Sequence, residues 1–527
     1  MHDTLEHAII KRTPASHKSL FTVTKDVKMK FSMFILLFVF LIASCGSMIL
    51  PHVQPTPLKQ PTAATSDCPT TSPPAPGVHN LQDLRPGCDY AQWFEDNTGY
   101  QPDPVYFSNY SILPWGNELY LGFGKARPSE FNGSLFASYH SSVVSAIYQP
   151  SEQGFIDMVR DVDTQHLHIP GPDPTDPALP GGHPWDWGNT YVYTPTTGTI
   201  VKHRNLPNVI HSWGIESTAN GLYVAVSSHT GDYKTWTGEI FRSTDLGETW
   251  TRMADKDDGV GNYRTYDIIQ FNSKLYATWS DDYGSPCGIA ESSDGGSVWQ
   301  RLAGCNGKTN CRSRLYVYNN QLLALAAARD GIIAIQTDGS TITYPFPDFS
   351  VQTWVYNPFA IDAANRLYLV TEDNRILRSH DLETWETMVA SDRDFITLSY
   401  WPDQDKIVVG DRGLVGRLWQ LDPSATPIQQ PPTLYPTITL NGADVIIQWD
   451  DYQGMSYRIY RNTERPLFSP AIQHFHTEVT TNSWTDSGVA TQAGGTYYQV
   501  RSKNADGDIS GPSRLIGKFT YDVVPGS

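Results

Sequence analysis

The densest chemistry in the chain lies between residues 166 and 189. It reads His166-Leu-His168-Ile-Pro-Gly-Pro-Asp173-Pro-Thr-Asp176 and runs on through His183-Pro-Trp185-Asp186-Trp187 to Asn189. Three His, three Asp and two Trp fall within 24 residues, and the prolines restrict the backbone that carries them. Three readings are open. As a metal site the stretch offers His and Asp ligands, but no pair has helical i, i+4 spacing and no Asp-x-Asp-x-Asp loop occurs, so no metal is expected. As a sugar site, Trp185 and Trp187 offer flat faces to pyranose rings, with His183 and the carboxylates for hydroxyl groups. As a structural element it is a flap plugging one end of a channel. Asp173, Asp176 and Asp186 are the candidate catalytic carboxylates, with Glu216 a further one. Two carboxyl groups about 5–9 Å apart suffice for glycoside hydrolysis. Arg127, Arg264 and Arg393, with His211, are candidates for holding an anion through the planar guanidinium fork. No Gly-x-Ser-x-Gly, phosphate-binding loop or His-Glu-x-x-His is present, and no cofactor is implied.

Residues so far apart need a scaffold that brings them together, and the sequence supplies a repeat. A turn followed by an apolar strand recurs as Asn117-Glu-Leu-Tyr-Leu-Gly, Asn220-Gly-Leu-Tyr-Val-Ala, Ser273-Lys-Leu-Tyr-Ala-Thr, Asn320-Gln-Leu-Leu-Ala-Leu, Asn365-Arg-Leu-Tyr-Leu-Val and Asp405-Lys-Ile-Val-Val-Gly. The markers Leu119, Leu222, Leu275, Leu322, Leu367 and Ile407 are spaced 103, 53, 47, 45 and 40 residues apart. The first interval holds a divergent unit with strands near Phe155–Val159 and His166–Ile169. Seven units of four short strands predict a β-propeller over residues 99–425, each blade covering its neighbour's apolar face. Composition agrees. Charged residues are 18% while 41 Gly and 37 Pro punctuate the chain, which suits short strands and tight turns rather than helical bundles. The loops between second and third strands, and those entering each first strand, open on one face. That face should gather Arg127, the 170–187 insertion, His211, Arg264 and Arg393, as well as several carboxylates.

A second signature falls later in the units: Ser243-Thr-Asp245-Leu-Gly-Glu-Thr-Trp250, Ser292-Ser-Asp294-Gly-Gly-Ser-Val-Trp299 and the shortened Ser379-His-Asp381-Leu-Glu-Thr-Trp385. These resemble the Asp boxes of sialidase-type (BNR-repeat) propellers. The resemblance implies a hairpin between third and fourth strands in which Asp accepts backbone N–H groups and Gly supplies positive φ. It also implies that Trp packs between blades, making Asp245, Trp250, Asp294, Trp299, Asp381 and Trp385 structural. It covers the propeller's architecture and fails at the chemistry, because no Arg-Ile-Pro motif occurs. Beyond a Pro-rich linker at 426–432, residues 433–522 alternate as Val445, Ile447, Trp449 and as Tyr457, Ile459. With Gly495-Thr-Tyr-Tyr near the end, this stretch resembles a fibronectin type III domain, a β-sandwich that usually acts as a spacer.

Lys25, Lys28 and Lys30 precede the apolar run from Phe31 to Ala43, which ends in Ile-Ala-Ser-Cys45. This predicts a signal segment over 1–44, with Met29 as a start giving normal signal length. The last residues resemble a bacterial lipobox, which implies lipidation at Cys45 and anchoring on the extracytoplasmic side of the membrane. Residues 45–98 then read as a lipidated N-terminus and a Pro/Thr-rich tether. Cys68–Cys88 and Cys305–Cys311 are plausible local disulfides. The net charge is −17, and losing six basic and three acidic groups with residues 1–44 leaves −20. Such a balance excludes nucleic-acid binding through a basic face. A monomeric surface lipoprotein that binds a glycan or cell-surface protein is the leading expectation. A sialidase-like or other glycoside hydrolase or lyase, or an assembly factor for a membrane complex, are the alternatives.

Overall fold

Each repeat marker begins the second strand of a sheet and is buried there, because a Leu-Tyr pair in alternating register presents one side chain to each neighbouring blade. The computed structural model describes residues 68, 78–100, 107–125, 133–161, 163–176, 178, 182–282, 287–310, 314–352, 357–412, 416–464 and 470–518. Seven antiparallel blades follow one another around an axis. Their inner strands are Phe107–Trp115, Val159–Arg160, Val209–Thr218, Arg264–Phe271, Tyr316–Tyr318, Phe359–Ile361 and Asp394–Trp401. The fold is an all-β propeller of four-stranded blades followed by a β-sandwich. An apolar cluster fills each junction: Tyr120, Phe136, Leu167 and Tyr191 join blades one and two, and Tyr223, Ile240, Leu275 and Ala277 join blades three and four. Each large side chain so buried contributes about 1.5–3 kcal/mol.

Blade seven takes its outer strand from the other end of the ring. Leu81–Asp83 pairs antiparallel with Leu418–Leu421, placing Leu81 opposite Leu421. The strand edge that would remain open is thereby covered, and the ring is closed by backbone hydrogen bonds. This corrects the tether expected over 45–98, since residues 81–98 are built into the ring. The helix Tyr90–Thr98 buries Tyr90, Trp93 and Phe94, is capped by Asp89 accepting from the Gln92 N–H, and ends at Gly99 with φ +74°. A Cys68–Cys88 disulfide fastens the same region. The other expected disulfide does not form: Cys305 is a free, buried thiol, pushed up to about 12 by burial, and Cys287 is disulfide-bonded. Cys45, Arg127 and Cys311 lie outside the described residues.

The three Ser-x-Asp turns join third and fourth strands in blades three, four and six. Asp245 accepts from the Thr249 N–H at 2.9 Å, Asp294 from Ser297 and Val298 at 3.0 Å, and Asp381 from Thr384 at 2.7 Å. The shortened third turn has no glycine; its Leu382 takes the left-handed conformation at φ +66°, as Leu246 does in the first turn at φ +60°. Trp299 is buried between blades three and four, whereas Trp250 and Trp385 are half-buried against the blade before their own.

The sandwich packs a sheet of Thr437–Asn441, Asp444–Gln448 and Ser483–Asp486 against one of Phe475–Val479, Ser456–Asn462, Thr496–Lys503 and Ile516–Lys518. Of the two adjacent tyrosines in its long strand, Tyr498 is the buried one, its hydroxyl donating to Asp486 at 2.7 Å. The sandwich is fixed to the propeller rather than spaced from it. Arg458 pairs with Asp392 at 2.7 Å, and the Arg501 guanidinium, fully buried, donates to the Asp373 carbonyl at 3.1 Å. The linker is held too, with the Ile428 N–H donating to the Thr387 carbonyl at 2.8 Å.

Candidate functional site

Four inner strands carry a β-bulge at the same level. In blades one, three, four and seven the register skips at Tyr110, Trp213, Tyr266 and Ile396. A bulge re-aims the extra side chain out of the ladder. Here all four are turned to one place, where with Ile156 they form an apolar plug across the axis. Space is tight beside it: a Cβ on Gly214, next to Trp213, would lie 2.8 Å from the Asp267 carboxylate.

Arg264 stands at the mouth of the channel against this plug. Its guanidinium lies 5.0 Å from the Trp213 ring, 4.4 Å from Trp236, 4.7 Å from Tyr263 and 5.9 Å from Tyr266. Among the described residues no carboxylate pairs with it, and its Nε is buried without a hydrogen-bond partner. Rings stabilise the cation by about 0.5–2 kcal/mol each without neutralising it. Beside it His211 stacks on Trp213 at 4.7 Å and directs Nε2 to Asp173 at 2.7 Å. Burial lowers the imidazole below its ordinary range, opposed by Asp173 and reinforced by Arg264.

The remaining candidates separate. Arg393 is buried in blade seven, 5.7 Å from the Trp419 ring and facing Asp411, whose carboxyl burial pushes up to about 6. Its charge opposes that rise, and Arg127, the third arginine of the expected triad, lies outside the described residues. Asp176 is held by Lys202, Ser151 and Asn189, next to buried Glu152, which burial pushes up to about 8. Asp186 accepts from the Tyr233 hydroxyl at 2.6 Å and from the His183 N–H at 2.6 Å. His183 in turn stacks on Tyr233 at 3.8 Å, and the Trp185 carbonyl faces His229 Nε2 at 3.2 Å. Trp187 begins the third strand of blade two, opposite Pro207. The segment 183–187 is therefore pinned to the neighbouring blade. Of the three candidate carboxylates Asp173, Asp176 and Asp186, Asp173 is the one that meets His211 beside Arg264.

No family model and no curated protein matches this chain. Among solved structures, a catalytically inactive virginiamycin B lyase from Staphylococcus aureus, with quinupristin, is 14% identical with a TM-score of 0.44, covering 65% of this chain and 98% of its own. The extracellular domain of a hybrid two-component system from B. thetaiotaomicron is 11% identical with a TM-score of 0.47, over 82% of this chain and 57% of its own. A Hadza microbial sialidase is 11% identical with a TM-score of 0.40, over 66% and 69%. These similarities are weak, and the seven-bladed ring rests on this chain's own strand pairing.

Beneath the plug the channel widens into a cavity of about 380 Å³ lined in part by Ser111, Asp157, Arg314, Tyr316, Asn357 and Ser399. Arg314 pairs with Asp157, which also accepts from the Ile215 N–H at 2.7 Å. Burial pushes Glu216 up to about 8 and Asp267 to about 7. Glu216 thus belongs to this inner group and not to the flap. Trp213, Trp236, Tyr263 and Tyr266 were not among the sequence candidates. One signal was available: Tyr110, Trp213 and Tyr266 each stand nine residues before a repeat marker, Leu119, Leu222 and Leu275.

Proposed function

We propose that this protein is an envelope-anchored lipoprotein whose propeller binds an acidic glycan at the channel mouth, with Arg264 as the anion anchor. One observation carries the reading: in a chain of net charge −17, a guanidinium that no carboxylate among the described residues pairs with sits in a cage of four aromatic rings. A carboxylate or sulfate accepts from the planar fork, while the partly exposed Trp236, Tyr263 and Tyr266 take the apolar face of the sugar. This replaces Trp185 and Trp187 as the platform. The turn geometry at Asp245, Asp294 and Asp381 supports a sialidase-type Asp-box propeller, and the three-plus-four strand order supports a fibronectin type III module. Anchoring through Cys45 is part of the proposal. Cys45→Ser should release the protein from the membrane fraction or leave it unprocessed, and a processed, membrane-bound variant would contradict it.

Calorimetric titration of the purified protein with sulfated, uronate-containing and neutral glycans tests the site. Arg264→Ala should weaken binding of acidic glycans by ~1.5–3 kcal/mol, the worth of a hydrogen bond to a charged group, and affect neutral ones much less. Equal loss for both classes, or no binding of acidic glycans by the wild type, would overturn the assignment.

A further inference from the structure

We infer that His211 and Asp173 make the channel mouth an eliminating site for polyuronates, with Arg264 holding the uronate carboxylate; this rests on the acidic-glycan reading above. His211 is 5% exposed. With Nε2 at 2.7 Å from Asp173 Oδ1, the proton sits on Nε2, and the lone pair is left on Nδ1, which is buried and has no partner among the described residues. An imidazole oriented by a carboxylate on one nitrogen and left without a hydrogen bond among the described residues on the other is the arrangement of a general base. Its burial keeps it neutral, as a base must be.

The orienting carboxylate is held in place by its backbone. Asp173 adopts the left-handed conformation at φ +56°, which a non-glycine residue rarely takes, and its N–H donates to the Ile210 carbonyl at 3.0 Å. Pro172 bridges to His211 itself, so the insertion delivers Asp173 to the inner strand. His211 and Arg264 occupy equivalent positions in consecutive blades, each eleven residues before its marker Leu. Both rest on the same two indoles. His211 lies 4.7 Å from Trp213 and 5.1 Å from Trp236, and Arg264 lies 5.0 and 4.4 Å from them. Base and anion anchor are thus brought to one spot.

That pairing suits proton removal beside a carboxylate. With the uronate carboxylate on Arg264, negative charge developing at C5 is delocalised into a group already held by a cation. His211 Nδ1 takes the C5 proton, and the C5–H electron pair forms the C4=C5 double bond. The C4–O bond breaks, its electrons leave on the oxygen, and that oxygen takes a proton from water. His211 then returns its proton to the hydroxide so formed. The step is redox-neutral and consumes no co-reactant.

The test incubates the full protein with polygalacturonate, alginate, hyaluronan and a neutral glucan. The ultraviolet absorbance of the unsaturated uronate is followed, and binding is measured in parallel. We expect the chromophore with at least one polyuronate and none with the glucan. His211→Gln should slow its formation by at least about 100-fold, the lower range for a general base, with affinity within about threefold of wild type. Asp173→Asn gives the same readout should His211→Gln fail to fold. Polyuronate binding without any chromophore, or chromophore formation at the wild-type rate in a folded variant, overturns this inference while leaving the binding reading intact. Failure to bind any acidic glycan removes both.

Discussion

Glu216 and Asp267 hold protons at a pH where carboxyl groups in an unfolded chain have lost them. Burial raises Glu216 to about 8 and Asp267 to about 7, with Arg314 working against the shift at both. In the unfolded chain both titrate near ~4. Between those values the folded state binds more protons than the unfolded state, so stability falls as pH rises. The contribution is complete below the unfolded pKa and is lost as pH passes through the folded values of about 7 and 8. One proton difference is worth about 1.4 kcal/mol per pH unit, so moving from about pH 5.5 to about pH 7.5 costs about 3 kcal/mol for one such group. Glu216→Gln keeps an oxygen for the Gln270 N–H, now at 3.1 Å, and removes the titration. Because Asp267 and Asp157 raise the Glu216 carboxyl by their charge, part of the effect passes to them. The variant's stability difference between the two pH values should be smaller than wild type's by about 1.5–3 kcal/mol. Urea unfolding at both pH values measures this. Parallel pH dependences, with the variant merely offset by a constant, would refute the buried-proton argument.

Trp299→Ala should cost ~3–5 kcal/mol as a large-to-small core change, and Trp250→Ala clearly less because its ring is half-buried; denaturant melts showing the reverse order would reject the packing described. Asp392→Ala removes the partner of Arg458 and of the Tyr460 hydroxyl, a loss of about 3–5 kcal/mol for a broken buried pair. Proteolysis at 426–432 should then quicken, and an unchanged cleavage rate would count against the part given to this pair in docking the sandwich. Cys305 should react with a thiol reagent only after denaturation, since burial keeps it a thiol, and rapid labelling of the native protein would contradict its placement.

The sequence by itself determined the ring. Leu119, Leu222, Leu275, Leu322, Leu367 and Ile407 recur because every blade must bury the same face against its neighbour, and a requirement repeated along the chain leaves a period that can be read. The Ser-x-Asp turns were legible for the same reason, their hydrogen bonds closing within a few residues. What tertiary structure decided is whatever depends on a meeting between blades. The strand Leu81–Asp83 is too short to carry a pattern, and only the open edge of blade seven makes it a strand. Asp173, Asp176 and Asp186 are near neighbours in sequence. They nevertheless face His211, Lys202 and Tyr233 respectively, because the insertion crosses three surroundings as it returns to its blade. Arg264 and Arg393 looked alike as entry-loop arginines. They differ because one emerges beside bulged aromatic residues that cannot neutralise it, while the other is enclosed with Asp411. A side chain's charge is written in the sequence, but whether it is already balanced depends on partners that only the closed ring brings within reach.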